Sequence, residues 1–328
     1  MSRYDVFRRD LRSVYRSRTG TAVAAILALS TVIAVGLFSL ASDALAVAAV
    51  GGLLTVAVLL TLVFIGSPRS IAGAVIVFTV LAVGLTFAVA DPAPYTLDRP
   101  SMRFAVLSVG SALSFLIPLV GLIGSYAALV GERETGSVRF LLGLPNSRSD
   151  AYIGKFLSRA TVVIVPLVTG LVLTGLIVEL TFQNGSFLGT LGLTIVSILY
   201  ALLFVGIGLS ASAYADSSNR AVAIAIAAFV TFRVGWTALR WLGIEHTPHR
   251  GSYPEWFFWF GRINPINAYI KLTTLFAEFE YGHPLIVTST NTANTLVTSH
   301  AFAALVLCVW TALAPITGLL YFRDRDII

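Results

Sequence analysis

Residues Gly189–Ala211 read GTLGLTIVSILYALLFVGIGLSA and lie within a longer run, Leu180–Ala215, that contains no charged side chain. A helix of about 20 apolar residues matches the ~30 Å hydrocarbon core of a bilayer. A helix of this length in water would need a polar face, which this stretch lacks. The stretch therefore predicts a transmembrane helix.

The same pattern recurs along the chain of 328 residues, which is 57% hydrophobic and 12% charged. Runs of this kind predict eight spans, at Gly20–Leu40, Leu45–Ile65, Ile71–Ala90, Ser108–Val130, Arg159–Thr181, Gly189–Ala211, Arg220–Trp241 and about Thr298–Phe322. Most of the 22 Lys and Arg residues fall on one side if both termini are cytoplasmic, as the positive-inside rule requires. We therefore expect an all-α polytopic membrane protein. Its net charge of +6 reflects this topology and not nucleic-acid binding.

The first 19 residues, 1–19, are basic and predict a cytoplasmic amphipathic helix on the membrane surface, ahead of a transmembrane domain at 20–328. The residues expected on its apolar face are Tyr4, Phe7, Leu11, Val14 and Tyr15. Its arginines are expected to face lipid headgroups. The alternative is an unstructured basic tail.

Two longer segments separate the predicted spans. The inner one, 131–158, is predicted as a cytoplasmic loop. The outer one, 243–297, carries the aromatic run Trp256–Phe260, which is typical of an interfacial or re-entrant element. It is interrupted at Asn264-Pro265, and we expect it to lie against the outer leaflet.

The inner loop begins GERETGSVRFLLGLPNSR over residues 131–148. Glu132 and Glu134 fit the first turn of a short helix, where carboxylates offset the helix dipole. Apolar residues then recur at i, i+3 and i+4 before a proline ends the element. This stripe either packs on the bundle or on headgroups, or docks onto a soluble partner.

The loop, together with Gly154-Lys155, Asn264-Pro265 and the ending Arg323–Asp326, resembles the cytoplasmic loop and C-terminal half of ABC-2 type permeases. The likeness is to the NosY-like branch in particular, the permeases associated with nitrous oxide reductase maturation. It covers about Ser108 to the C-terminus. Because the family core has six spans, the resemblance implies that Leu45–Ala90 contains an inserted hairpin.

The resemblance implies that this chain is a transport subunit and not an enzyme. The loop would be a coupling helix bound by a separate ATPase, with two ATPase copies holding ATP and Mg²⁺ outside this chain. A second permease chain, identical or related, a plasma-membrane location and export are implied as well. The implied coupling residues are Glu132, Arg133, Glu134, Gly136, Ser137, Val138, Leu141, Leu142, Pro145 and Arg148.

Two other motifs are weaker. Gly131 and Gly136 have P-loop spacing, but the phosphate-binding lysine is absent, so we do not expect this chain to hydrolyse ATP. His246 and His249 are separated by Pro248 without nearby carboxylate-rich sequence, so we expect a polar loop and no metal site. No cofactor is expected in the chain.

Three charged residues of the spans are candidate polar or gating residues: Glu179, Arg233 and Arg240. Arg233 lies about 20 Å into its predicted span, and a charge at that depth is by default a functional hypothesis. The plainer interpretation is an Arg233–Glu179 ion pair, or snorkelling to the outer surface. Two other functions stay open at this stage: a secondary transporter or channel without an ATPase, and a membrane scaffold for a soluble enzyme.

Overall fold

The structure is a computed structural model, and it describes residues 3–15, 17, 102–134, 147–182, 184–246, 254–276 and 296–324. Throughout these residues the regular structure is helical, without strands. The predicted spans Gly20–Leu40, Leu45–Ile65 and Ile71–Ala90 lie outside the described residues.

The α-helices are α1 (Arg3–Tyr15), α2 (Met102–Ser125), α3 (Val130–Glu134), α4 (Arg148–Thr181), α5 (Phe187–Tyr214), α6 (Ser218–Val230), α7 (Trp236–Glu245), α8 (Glu255–Ile263), α9 (Pro265–Thr273) and α10 (His300–Asp324). A π-helical turn, Thr231–Gly235, joins α6 to α7. Short 3-10 turns, Thr274–Phe276 and Leu296–Thr298, follow α9 and precede α10.

Five segments of the described chain are long and apolar enough to cross a membrane: Val109–Glu134, Arg148–Leu180, Phe187–Tyr214, Ser218–Glu245 and His300–Asp324. Each corresponds to one of the predicted spans. The chain is therefore a polytopic helical membrane protein.

The helix α5 forms the centre of the bundle, where it packs against α2, α4 and α10. It is apolar on all sides, as a helix surrounded by others must be. Small residues allow close crossings: a Cβ added at Gly121 of α2 would lie 3.0 Å from the Cβ of Phe204. Packing of this kind brings membrane helices together where hydrophobic driving force is weak.

Antiparallel connections give the bundle two ends. At one end of the bundle α1, α4 and α6 begin, and α5 and α10 finish. We call it the α1 end. The other end, where α4 and α7 finish and α5 and α10 begin, is the hairpin end. Ser186 caps the start of α5 there, since its side chain accepts a hydrogen bond from Gly189 N.

The helix α4 is longer than predicted. It begins at Arg148 and not at Arg159, so residues 148–158, which the sequence assigned to the loop 131–158, are helical. At about 1.5 Å per residue its 34 residues span about 50 Å, more than the ~30 Å hydrocarbon core requires. Ser147 caps this early start by accepting a hydrogen bond from Asp150 N. Part of α4 therefore extends beyond the bilayer at the α1 end.

The aromatic segment forms a helical hairpin, α8–α9, that enters the bundle. The helix α9 contacts α2, α5 and α10, and Tyr269 stacks on Tyr200 of α5 with ring centroids 4.1 Å apart. At the turn, the indole of Trp310 donates to Ile263 O at 2.9 Å. Because Trp310 lies ten residues into α10, the turn is about 15 Å below the hairpin end. The described part of 243–297 thus packs among the spans, which fits the re-entrant alternative and not a segment lying against the outer leaflet.

Side chains satisfy the carbonyls at the end of α8 that lies at the turn of the hairpin. Trp236 Nε1 donates to Phe260 O at 2.7 Å, and Asn267 Nδ2 donates to Gly261 O at 2.8 Å. Asn264 caps α9 through Ile266 N and donates to Phe232 O in the π-helical turn at 2.6 Å. Such caps explain how a helix end persists at membrane depth, where an unsatisfied polar group is costly.

Candidate functional site

The face of α1 that is buried in the bundle overlaps the predicted apolar face only in part, at Val14 and Leu11. Val6, Asp10 and Val14 are buried at i, i+4 and i+8, whereas Tyr4, expected on the apolar face, is 64% exposed. This face lies along the first turns of α4. The arginines Arg8, Arg9 and Arg12 are exposed. The helix is therefore held to the bundle by a face that contains a carboxylate.

Asp10 belongs to a buried ionic cluster at the α1 end. Lys155 Nζ lies 3.2 Å from Asp10 Oδ1 and 2.8 Å from Glu132 Oε1. Arg159 Nε donates to Asp10 Oδ2 at 3.1 Å, and its Nη1 donates to Gly124 O at 3.1 Å. Lys155 is only 1% exposed. The cluster therefore ties α1, α3, α4 and α2 together through charges that are withdrawn from water.

Opposing effects act on the pKa of Asp10. Burial alone would raise it, but the charges of Lys155 and Arg159 outweigh burial and hold it below its ordinary value of 3.8. A lowered pKa means that Asp10 stabilises the fold when it is ionised. This contribution is present above the ordinary pKa and is lost as the pH falls through the lowered one.

Three of the predicted coupling residues, on α3, bind neighbouring elements. Glu132 pairs with Lys155 as described above. Arg133 Nη1 donates to Ala215 O at 3.0 Å, just past the end of α5. Glu134 Oε1 accepts a hydrogen bond from Ser218 N at 2.7 Å, in the first turn of α6. These residues precede the segment 135–147 between α3 and α4, which is called the loop from here on. They are thus fixed to α4, α5 and α6.

Arg148, on the far side of the loop, donates through Nη1 to Arg323 O at 3.2 Å, near the end of α10. Two residues on, Asp150 pairs with Arg3 of α1 at 2.7 Å. The remaining predicted coupling residues lie outside the described residues: Gly136, Ser137, Val138, Leu141, Leu142 and Pro145. The structure therefore brings together the two flanks of the loop.

Sequence reasoning missed Asp10, Lys155 and Arg159 as members of one cluster. A signal was available for Asp10, because Val6 and Val14 place it on an apolar helical face where a carboxylate needs a partner. Lys155 is also conspicuous as one of very few lysines in an arginine-rich chain. Their pairing could not be predicted, since 145 residues separate them.

Gly154 sets how closely α1 approaches α4, and we expect Gly154→Ala to displace α1. A Cβ at this position would lie 2.8 Å from Val6 Cβ and 2.9 Å from Arg3 O, a backbone atom that cannot move alone. Overpacking of this kind costs about 1–3 kcal/mol. We expect a lower unfolding temperature in detergent and faster tryptic cleavage within α1.

The control for this change is Gly124→Ala in α2, whose new Cβ would meet its nearest atom, Val163 Cγ2, at an ordinary 3.5 Å. This variant should match or exceed the wild type in unfolding temperature, because alanine is the better helix former. Equal losses in the two variants would contradict the close α1–α4 contact.

The predicted Arg233–Glu179 ion pair is absent: neither side chain takes part in a salt bridge within the described structure. Glu179 Oε2 instead accepts a hydrogen bond from Phe187 N at 2.6 Å. Arg233, in the π-helical turn, has its Cζ 3.3 Å from the ring centroid of Phe115. The partner of Glu179 is a backbone amide only eight residues later in the chain, so this carboxylate is satisfied without a contact to a distant helix.

Arg240 does not share the surroundings of Arg233. It is 7% exposed, and its Cζ lies 4.3 Å from the ring centroid of Phe257 on α8. Arg233 contacts α2, whereas Arg240 contacts the hairpin. The three intramembrane candidates thus form three separate environments.

Comparison with known proteins agrees with this architecture. The profile of the family described as ABC-2 family transporter protein matches residues 4–327. A probable ABC transporter permease protein NosY of Stutzerimonas stutzeri is 26% identical over 254 residues, which cover 76% of this chain and 90% of the relative. The probable ABC transporter permease protein NosY of Pseudomonas aeruginosa is 28% identical over 270 residues, covering 77% and 91%.

These matches confirm the resemblance to ABC-2 permeases and to their NosY-like branch. They identify the chain as an integral membrane permease subunit of an ABC transporter. With a family match that extends over nearly its whole length, the chain belongs to the ABC-2 family of transporter proteins.

Proposed function

We propose that this chain is the permease of an ATP-driven exporter in the plasma membrane and that the α1 end faces the cytoplasm. The loop between α3 and α4 would dock on a separate ABC ATPase. The complex would contain two ATPase copies and two permease chains, the second identical or related. ATP and Mg²⁺ would be bound, and ATP hydrolysed, on the ATPase alone.

The observation that supports this proposal most is the anchoring of both flanks of the loop. Before the loop, Glu132, Arg133 and Glu134 bind α4, α5 and α6. After it, α4 starts at once and contacts α10 through Arg148. A force applied to the loop would therefore reach several spans directly. This is the arrangement that transmission from a soluble motor requires.

The charged residues of the two flanks would hold the loop in place, and its apolar residues Val138, Leu141 and Leu142 would be buried on docking. Truncating one buried leucine contact typically costs about 2 kcal/mol or more, which is roughly 30-fold in affinity. Placing a carboxylate in such an interface costs more, because it must lose its hydration without a partner.

The test uses a tagged full-length chain purified from its native membranes in mild detergent. We expect an ABC ATPase, identified by mass spectrometry, to co-purify stoichiometrically with the wild type. Leu141→Asp should remove it, while Leu141→Met, of similar volume, should keep it. The unfolding temperature of the permease should be the same in both variants.

Two results would reject the proposal. If the wild type carries no ATPase, this chain does not work as an ATP-coupled permease. If Leu141→Asp retains the ATPase at wild-type stoichiometry, the docking site is elsewhere.

A further inference from the structure

Basic side chains from four helices converge between the turn of the α8–α9 hairpin and the hairpin end. They are Arg240 on α7, Arg262 on α8, Lys271 on α9 and His300 at the start of α10. The charge of Arg240 acts on Arg262, and those of Arg262 and Lys271 both act on His300. The convergence follows from the fold, since α8 contacts α7, α9 and α10. We call these four residues the basic cluster.

Arg262 is the most deeply buried member. It is 4% exposed, and its Nη1 has no hydrogen-bond partner within the described part of the chain. No carboxylate of the described residues forms a salt bridge with it, and the two acidic residues nearest in sequence among those that the structure describes, Glu245 and Glu255, are exposed. Among the residues that the structure describes, the charged groups that interact with Arg262 are cations, and a buried guanidinium in such surroundings is strongly unfavourable by itself. Its surroundings call for an anion.

The fold makes room for the cluster at Gly261. A Cβ at this position would overlap Arg240 Nη1, so the absence of a side chain lets one guanidinium lie over the backbone next to the other. Arg240 is also held over the Phe257 ring. The packing of α7 on α8 thus keeps the Arg240 guanidinium against the backbone of the residue before Arg262, although the two charges repel each other.

Thr274 connects the other two members. Its Oγ1 donates to Lys271 O at 2.7 Å and must therefore accept the hydrogen bond from His300 Nε2 at 3.0 Å. This arrangement holds α9 and α10 together and leaves Nδ1 of His300 available. Lys271 and His300 are each partly exposed, so the cluster extends from buried Arg262 towards the protein surface.

We propose that the basic cluster binds a phosphate-like oxyanion, with Arg262 as its buried anchor and Lys271 and His300 at its entrance. Guanidinium groups bind such oxygens in a planar, two-pronged fashion, and an ammonium group adds a point charge. The oxyanion is either the headgroup phosphate of a lipid or a free anion. The site is independent of the loop and its ATPase, so it goes beyond the proposed function.

The test measures binding to the full-length permease in detergent with two probes. In the first arm, inorganic phosphate is added and the unfolding temperature is compared with that in chloride at equal ionic strength. In the second arm, phosphatidylglycerol is added and its retention is followed by native mass spectrometry. A higher unfolding temperature in phosphate than in chloride indicates that the cluster binds a free anion. Retention of one phosphatidylglycerol molecule indicates that it binds a lipid headgroup.

The variants are Arg262→Gln, Lys271→Gln and, as a matched control, Arg220→Gln, an exposed arginine at the opposite end. We expect Arg262→Gln to weaken binding of the responsive probe at least tenfold, and Lys271→Gln to weaken it less. Arg220→Gln should bind like the wild type. Without either probe, Arg262→Gln should be as stable as the wild type or more stable, because it removes an unpaired buried cation.

The proposal fails if the wild type responds to neither probe, or if Arg262→Gln binds both as the wild type does. It also fails if Arg262→Gln is destabilised without a probe, since Arg262 would then be a structural residue with a partner of its own. If Arg262→Gln cannot be purified, Lys271→Gln serves as the test. Binding of the responsive probe by Lys271→Gln at the wild-type level then contradicts the proposal.

Discussion

Replacing Lys155 with methionine is expected to release α1 from the bundle. Lys155 is the cation shared by Asp10 and Glu132, and it is 1% exposed. Methionine fills a similar volume but leaves Asp10 buried with Arg159 alone. Removing one partner of a buried ion pair costs about 3–5 kcal/mol. This corresponds to a more than hundredfold rise in the undocked population, read as faster tryptic cleavage after Arg8, Arg9 or Arg12.

The control for Lys155→Met is Arg3→Gln, which breaks the other α1–α4 ion pair. Arg3 is 65% exposed, so solvent screens this pair and its loss should change the cleavage rate little. The double variant Asp10→Asn/Lys155→Met should be cleaved more slowly than Lys155→Met alone. It no longer contains a buried carboxylate that has lost one of its two cationic partners. Equal cleavage rates for Lys155→Met and Arg3→Gln would contradict the buried cluster.

The spans could be predicted because their signal is local. A stretch such as Gly189–Ala211 has no polar face, so it is unsuited to water whatever the rest of the chain does. The start of α4 was misplaced for the same reason. Residues 148–158 are too polar to indicate a span, and they are helical because of the Ser147 cap and because α1 packs along them.

Pairings between distant elements could not be predicted from the sequence. They depend on how each helix is rotated about its axis, which hydropathy does not encode. Glu179 and Arg233 have opposite charges, yet Glu179 binds a backbone amide in the adjacent turn and Arg233 contacts an aromatic ring of α2. The depth of the hairpin could not be predicted, because its aromatic run suits a membrane interface as well as a re-entrant element. The hydrogen bonds at the end of α8 reveal this depth.

Replacing Arg233 with glutamine is expected to lower coupled activity about tenfold while the protein stays assembled. The guanidinium lies over Phe115, inside a segment long and apolar enough to cross the membrane, and it forms no salt bridge within the described structure. It sits in the π-helical turn Thr231–Gly235, and such turns occur often at functional sites. If Arg233 acts in gating, the ATPase rate of the reconstituted permease–ATPase complex should fall about tenfold, or ~1.4 kcal/mol in the barrier.

A structural role for Arg233 predicts a different result. A cation–π contact is worth about 0.5–2 kcal/mol, so Arg233→Gln and Phe115→Leu would then lower the unfolding temperature to similar extents and without additivity. A gating role predicts instead that Arg233→Gln keeps the wild-type unfolding temperature and ATPase stoichiometry, since the change removes a desolvated charge. Arg233→Ala should behave in the same way, losing activity without losing assembly. A destabilised Arg233→Gln protein with a wild-type ATPase rate would assign this arginine to the fold, because a charge kept only for packing has no reason to affect turnover.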